Sequence, residues 1–262
     1  RLDTASIGLL NQRYKENFVP EKNQGYITLT THNSSADRIN KSRLSVLKEN
    51  EYCFDAEVSG DFPEHTYPAP SKLVLKEGAQ VMFLRNDNSI ERRFFNGKIG
   101  QIKTIAGQQI SITCPGESDD IVVEALEWEN IKYSVNEENK EIKEDIIGKF
   151  KQFPLKLAWA ITIHKSQGLT FDKAVIDAES AFAHGQVYVA LSRCKTFEGM
   201  VLSSPIPSRG IATDESVLNF IERARQNLPS DNRLQAAKLF YQQQLLLECF
   251  DFQLLHNRLV YF

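Results

Sequence analysis

Two short stretches hold the residue types that phosphate chemistry needs. Ala160-Ile161-Thr162-Ile163-His164-Lys165-Ser166-Gln167-Gly168-Leu169-Thr170-Phe171-Asp172 gathers hydroxyls, an imidazole and an ammonium around one glycine. Such side chains, with backbone amides, grip a phosphodiester backbone without reading bases, and a glycine lets the chain turn sharply or approach closely. Thr162, His164, Lys165 and Ser166 are therefore candidate nucleic-acid contacts. Eighteen residues after Gly168 comes Gln186-Val187-Tyr188-Val189-Ala190-Leu191-Ser192-Arg193. The planar cationic fork of an arginine suits the stabilisation of charge on a transferring phosphoryl group, which makes Arg193 the candidate catalytic residue. Taken singly, an arginine on a helix is most often a surface residue and a His-Lys pair a solvated one.

A third candidate lies at Thr31-His32-Asn33, where a β-rich run gives way to a helical pattern. Ligands of open α/β sheets gather beyond the carboxyl ends of strands. The plainer reading is a polar turn, with Ser34 or Ser35 capping the helix. Equally informative is what the chain lacks. Among its 13 glycines none belongs to a Gly-rich loop ending in Gly-Lys-Ser/Thr, and no apolar run ends in an Asp-Glu pair that could hold magnesium. With Arg1 rather than Met in first place, the chain is expected to be the C-terminal part of a longer protein whose other part carries the phosphate loop.

The elements that must position these residues alternate in type. Tyr26–Thr31 reads as a buried strand, followed by a helix through Ile39, Leu44 and Leu47. Strands are expected at 52–58 and across 73–84. Beyond Asn86 the texture changes: Asn96-Gly97 signals a hairpin, and short strands at 99–105, 110–114, 121–126 and 131–135 are separated by turn residues, as in a small β-barrel or sandwich. Past Phe153-Pro154 the α/β texture returns. Leu157–Ile163 is helix or buried strand, Lys173–Asp177 a core strand, Gly185–Arg193 the start of a helix and Met200–Leu202 a strand, so a parallel sheet is expected. From Asp214 the pattern is helical, punctuated at Pro229-Ser230.

Composition bounds the remaining possibilities. At 262 residues with 42% hydrophobic content the chain can bury one large core or two small ones. No apolar run approaches the ~20 residues of a membrane span. Cys53, Cys114, Cys194 and Cys249 are far apart and form no metal-like pair, as expected of reduced thiols in the cytoplasm. The five histidines show no ligand spacing, and no metal site is expected. Residues 117–145 carry eleven Asp/Glu against three Lys, the pattern of a solvated acidic hairpin; elsewhere 28 Lys/Arg face 23 Asp/Glu, which leaves room for a basic groove despite a net charge of −3. Trp159, Phe94, Phe95 and Tyr133 are available to stack on bases, though most of the 16 Phe must be core.

The first two blocks resemble the fifth and sixth motifs of superfamily-one helicases, and Thr30–Asn33 with Arg38-Ile39-Asn40 resembles the fourth. With Leu75–Asp87 and Phe95–Gly100, the resemblance covers residues 26–205 and is closest to the 5′-to-3′ branch: the petite-integration-frequency (PIF) DNA helicases and the RecD-like exonuclease V alpha subunit. It implies an α/β fold, with a second RecA-like parallel-sheet motor domain at 1–89 and 154–210 and an inserted small β-barrel at 90–153; the residue pattern adds a helical C-terminal extension at 211–262. The resemblance implies DNA contacts at Thr31, His32, Asn33, Thr162, His164, Lys165 and Ser166, and nucleotide contacts at Gln167, Gly168, Gln186 and Arg193, with Asn40 structural. ATP and Mg2+ would be held mainly by an N-terminal RecA-like domain of the same protein. Single-stranded DNA is the expected partner, and the cytoplasm, or the nucleoid of a bacterium, the expected place. Thr170 stands where many relatives outside this branch have Glu, and the tail matches nothing in the family. A non-enzymatic binding module derived from a helicase is the alternative, and an intact Arg193 beside His164-Lys165 argues against it.

Overall fold

The computed structural model describes residues 4–21, 24–135, 142–177, 185–206, 215–228, 230–253, 256 and 259. They belong to two compact units, residues 1–212 and 213–262. In the first, α1 (Thr4–Asn11) precedes β1 (Ile27–Thr30) and α2 (Asn33–Val46). The strands β2 (Glu51–Asp55), β3 (Glu57–Gly60), β4 (Lys72–Lys76) and β5 (Gln80–Phe83) follow, then β6 (Ile99–Ala106), β7 (Gln109–Thr113) and β8 (Ile121–Val123). Next come β9 (Leu126–Val135), β10 (Ile142–Gln152), β11 (Leu155–Leu157), β12 (Ala160–Thr162), β13 (Ala174–Ile176), α3 (Gln186–Leu191) and β14 (Met200–Leu202).

Four short apolar strands build the motor-like sheet, in the order β12-β1-β13-β14 with every neighbour parallel. Three of the four are buried along their whole length, the signature of a sheet covered on both faces. Ile27, Leu29, Ile161, Ile176 and Leu202 pack there with Ala190 and Val187 of α3. β12 is an edge strand, and α2 ties it down: Asn40 donates to the Ala160 carbonyl and accepts from the Ala160 N–H, both at 2.9 Å. Asn40 is thus the structural residue anticipated for it.

Everything from β2 to β11 lies between the neighbouring strands β1 and β12. These strands form antiparallel sheets in the orders β11-β5-β6-β7-β8, β3-β10-β9 and β2-β4, and the first and last of these share a second core that includes Phe83, Ile102, Ile110, Ile112, Phe153 and Leu155. The β-rich part therefore draws in β2 to β5 and β11, beyond the stretch 90–153 marked by turn signals. Leu73-Val74-Leu75 is apolar enough for either kind of sheet, and one strand's residues do not reveal its partner.

Two local expectations need correction, and one strand was not anticipated. Helix α2 starts at Asn33 with His32 in the cap position, so Ser34 and Ser35 lie inside the helix rather than before it. Asn96-Gly97 is not a two-residue hairpin turn: β5 and β6 pair across a connection of residues 84–98, which the Gly97 N–H closes by donating to the Phe83 carbonyl at 2.9 Å. The charged run Ile142–Gln152 is a long strand paired with β9, kinked by a register shift between Ile146 and Gly148.

The second unit holds α4 (Glu215–Gln226) and α5 (Asp231–Cys249). Ser230 caps α5 by accepting from the Arg233 N–H. None of the described residues of this unit is buried, and Phe220, Phe240, Leu246 and Phe250 are among its exposed apolar side chains.

Candidate nucleic-acid and nucleotide site

Parallel pairing sets the site's geometry. Thr30 and Thr162 are register partners at the ends of β1 and β12, and the Ile163 N–H donates to the Thr30 carbonyl at 2.8 Å. Thr31-His32 and Ile163-His164 therefore leave the sheet side by side at its carboxyl edge, where open α/β sheets bind ligands. The Thr31 hydroxyl and His32 Nδ1 are 2.8 Å apart, and His32 and Asn33 are exposed.

Beyond β12 the chain makes one 3-10 turn, His164–Ser166. The turn divides the predicted contacts into two sets. Ser166 is fully buried, its hydroxyl donating to the Ile163 carbonyl at 2.7 Å. Thr162 is also buried, and its hydroxyl accepts from the Lys165 N–H at 3.3 Å. These two side chains face inward and shape the turn. His164, Lys165 and Gln167 point outward and are exposed. Gly168 follows with φ of +79°, and no heavy atom lies within 4 Å of where a β-carbon would stand. The backbone there is open to an incoming group.

Arg193 meets the same segment from the other side. It lies two residues past the end of the short helix α3, whose first residue, Gln186, is half-buried. Its Nη1 donates to the Leu169 carbonyl at 3.1 Å, its Nε to the Val189 carbonyl at 3.1 Å and its Nη2 to the Ser192 hydroxyl at 3.0 Å. The backbone completes the connection: the Phe171 N–H donates to the Arg193 carbonyl and the Lys195 N–H to the Phe171 carbonyl. The fork is oriented by neutral oxygens, and among the described residues no carboxylate pairs with it. Among the described residues its charge is held in place without being neutralised, which suits a group that meets a phosphate.

Two further residues join the site that their sequence context hides. Gly97 has φ of +98°, and a β-carbon there would stand 2.9 Å from Leu169 Cδ2, so the connection before β6 packs directly on the residue that Arg193 leans on. Lys156 of β11 is half-buried, and burial first, then the charge of Lys165, pulls its ammonium down to about 8. In Leu155-Lys156-Leu157 it reads as an ordinary alternating strand residue. The aromatic candidates scatter: Phe94 stacks on Phe83, Phe95 and Tyr133 are exposed, and Trp159 lines a cavity of about 250 Å³ with Tyr26, Ile39, Leu47 and Ile99. That cavity opens beside the amino ends of β1 and β12, away from the carboxyl edge.

Residues 157–196, which contain both blocks, match the model of the UvrD-like helicase C-terminal domain. The chain is 35% identical over 194 residues to the ATP-dependent DNA helicase Pif1 of Bdellovibrio bacteriovorus, covering 72% of this chain and 41% of that protein. Human ATP-dependent DNA helicase PIF1 is 32% identical over 207 residues, covering 76% of this chain and 30% of its own length. Unliganded Pif1 from a Bacteroides species superposes with a TM-score of 0.77 at 35% identity, over 86% of this chain and 51% of that one. The chain belongs to the Pif1 helicase family. It spans between 30% and 51% of the length of these Pif1 relatives. The Bacteroides Pif1 structures include one in complex with ADP-AlF4 and one bound to single-stranded DNA, at TM-scores of 0.77 and 0.64.

Proposed function

We propose that this chain is the C-terminal motor half of an ATP-dependent DNA helicase that translocates on single-stranded DNA and unwinds duplex. The observation that carries the reading is the joining of the two blocks: Arg193 rests on the Leu169 carbonyl, one residue from open Gly168 and four from Lys165. A strand of DNA lies across the carboxyl ends of β1 and β12, against Thr31, His32, Asn33, His164 and Lys165. ATP binds on the far side of the same segment, against Gly168, Gln167, Gln186 and Arg193, and is completed by a second RecA-like domain that supplies the phosphate loop. Mg2+ belongs with that domain as well. The open backbone at Gly168 and the fork of Arg193, held by the Leu169 carbonyl, fit a nucleotide's phosphates. Closure on ATP moves the DNA-gripping edge relative to the other half, giving a step per nucleotide. The four cysteines are free thiols, in keeping with work in the cytoplasm, or at the nucleoid of a bacterium.

The test is DNA-stimulated ATP hydrolysis by the whole gene product, Arg193→Ala beside wild type. Turnover should fall by ~10³ or more, as for a lost arginine finger, while single-strand binding persists. Undiminished turnover in the variant sinks the assigned role. A gene product without any ATPase sinks the motor reading in favour of a binding module.

A further inference from the structure

Lys156 has no part in the reading above, and its setting is unusual for a lysine. It stands directly opposite Met82 in the β11–β5 pair, and opposite residues of an antiparallel pair share a face. Met82 is fully buried in the motor core with Ile161 and Ile163, whereas Val81, Phe83 and Leu155 belong to the core of the β-rich part. Lys156 therefore leaves its strand on the motor side, its stem half-buried as lysine stems often are. A structural lysine so placed would meet a carboxylate. Among the described residues none pairs with it, and the charge that acts on it is a second cation, Lys165. Met82 packs with Ile163, two residues before Lys165, so the half-buried ammonium of Lys156 stands on the side of the turn that carries the exposed Lys165. A half-buried ammonium with no carboxylate beside it weakens the fold unless an anion arrives.

We infer that Lys156 and Lys165 together hold one phosphate of the bound single strand, Lys165 from the turn after β12 and Lys156 from β11 of the β-rich part. The inference rests on the DNA-binding edge proposed above and extends the grip to an element outside the parallel sheet. Lys156 supplies charge and a donor to the backbone, not sequence readout.

Fluorescence anisotropy with a labelled oligothymidylate, titrated from about 50 to 300 mM KCl, tests it on wild type, Lys156→Met, Lys156→Gln, Lys156→Arg and Lys165→Met. Either neutral variant at 156 should weaken binding several-fold and lower the slope of log affinity against log salt by about 0.7, the value for one phosphate on a single strand. Lys156→Arg should restore the slope. Lys156→Met combined with Lys165→Met should lose little more than either alone, because both act on one phosphate. An unchanged slope in both neutral variants, with a lowered slope in Lys165→Met, overturns the role of Lys156 and leaves the DNA edge standing. No binding by wild type, or no effect of Lys165→Met, overturns the edge and the inference with it. Thermal melts identify an unfolded variant, and the second neutral substitution then decides.

Discussion

Neutralising Lys156 is expected to strengthen the fold. Its ammonium sits at about 8 instead of near 10.5, so the folded protein holds that proton less tightly than the unfolded chain does. For a cation whose folded value is depressed, the cost to the folded state is complete below about 8, shrinks as pH climbs towards 10.5 and vanishes above it; stability therefore rises with pH across that window. The difference corresponds to about 3 kcal/mol, at roughly 1.4 kcal/mol per tenfold in the ionisation constant. Partial solvent access reduces it to about 1–2 kcal/mol. Lys156→Met keeps the stem and removes the charge, so it should recover that amount at neutral pH. At about 2–4 °C per kcal/mol for a unit of this size, Tm should rise by roughly 2–8 °C near pH 7. The assay is a pair of melts followed by circular dichroism, wild type and variant, repeated in steps from neutral pH to about pH 10. A lower Tm near pH 7 would mean that the lysine has a stabilising partner, and the charge argument fails. A gain of the same size at every pH would trace to apolar packing instead, and also refutes it.

Three other substitutions probe the frame of the site. Asn40→Ala removes both bonds to the Ala160 peptide at the sheet edge and should cost about 2–3 kcal/mol in urea unfolding, with Asn40→Asp recovering only the bond from the Ala160 N–H. Gly97→Ala meets both a left-handed backbone and Leu169, so a loss of about 1–2 kcal/mol is expected, with ATPase in the whole gene product falling further than stability alone explains. Ser166→Ala should cost about 1 kcal/mol of stability and leave the salt slope of single-strand binding unchanged, since its hydroxyl faces inward; a lowered slope would return Ser166 to the DNA surface.

What could be read in advance follows from what each residue faces. Ile27-Thr28-Leu29, Ala174-Val175-Ile176 and Met200-Val201-Leu202 are short and apolar because parallel strands are covered on both faces, and they stand out without any partner in view. Ile142–Gln152 mixes charged and apolar residues without a clean alternation, so its pairing with β9 shows only once both strands are placed. His164-Lys165-Ser166 announces its chemistry by residue type, but a single 3-10 turn decides which side chains look outward, and that rotation has no signal in composition. The half-burial of Lys156 arises from Met82, 74 positions earlier, and no local pattern carries it.

The interval between β1 and β12 also governs how the molecule assembles. Thr30 donates to the Ile161 carbonyl across 131 residues of chain, nearly all of them belonging to α2 and the β-rich part. Loop closure of that length is slow when the intervening chain is disordered, and becomes fast once that chain has condensed and its ends are already near each other. The β-rich part is therefore expected to act as an internal scaffold during folding: it forms from hairpins, and the two ends it delivers then zip into the edge where DNA is proposed to lie. Because closure cost grows only slowly with length, about 0.6 kcal/mol per doubling, this interval tolerates insertions in its loops far better than damage to its core. Variants that weaken Phe83, Ile112 or Phe153 should thus appear as slow or failed maturation of the motor edge, although none of those side chains touches it.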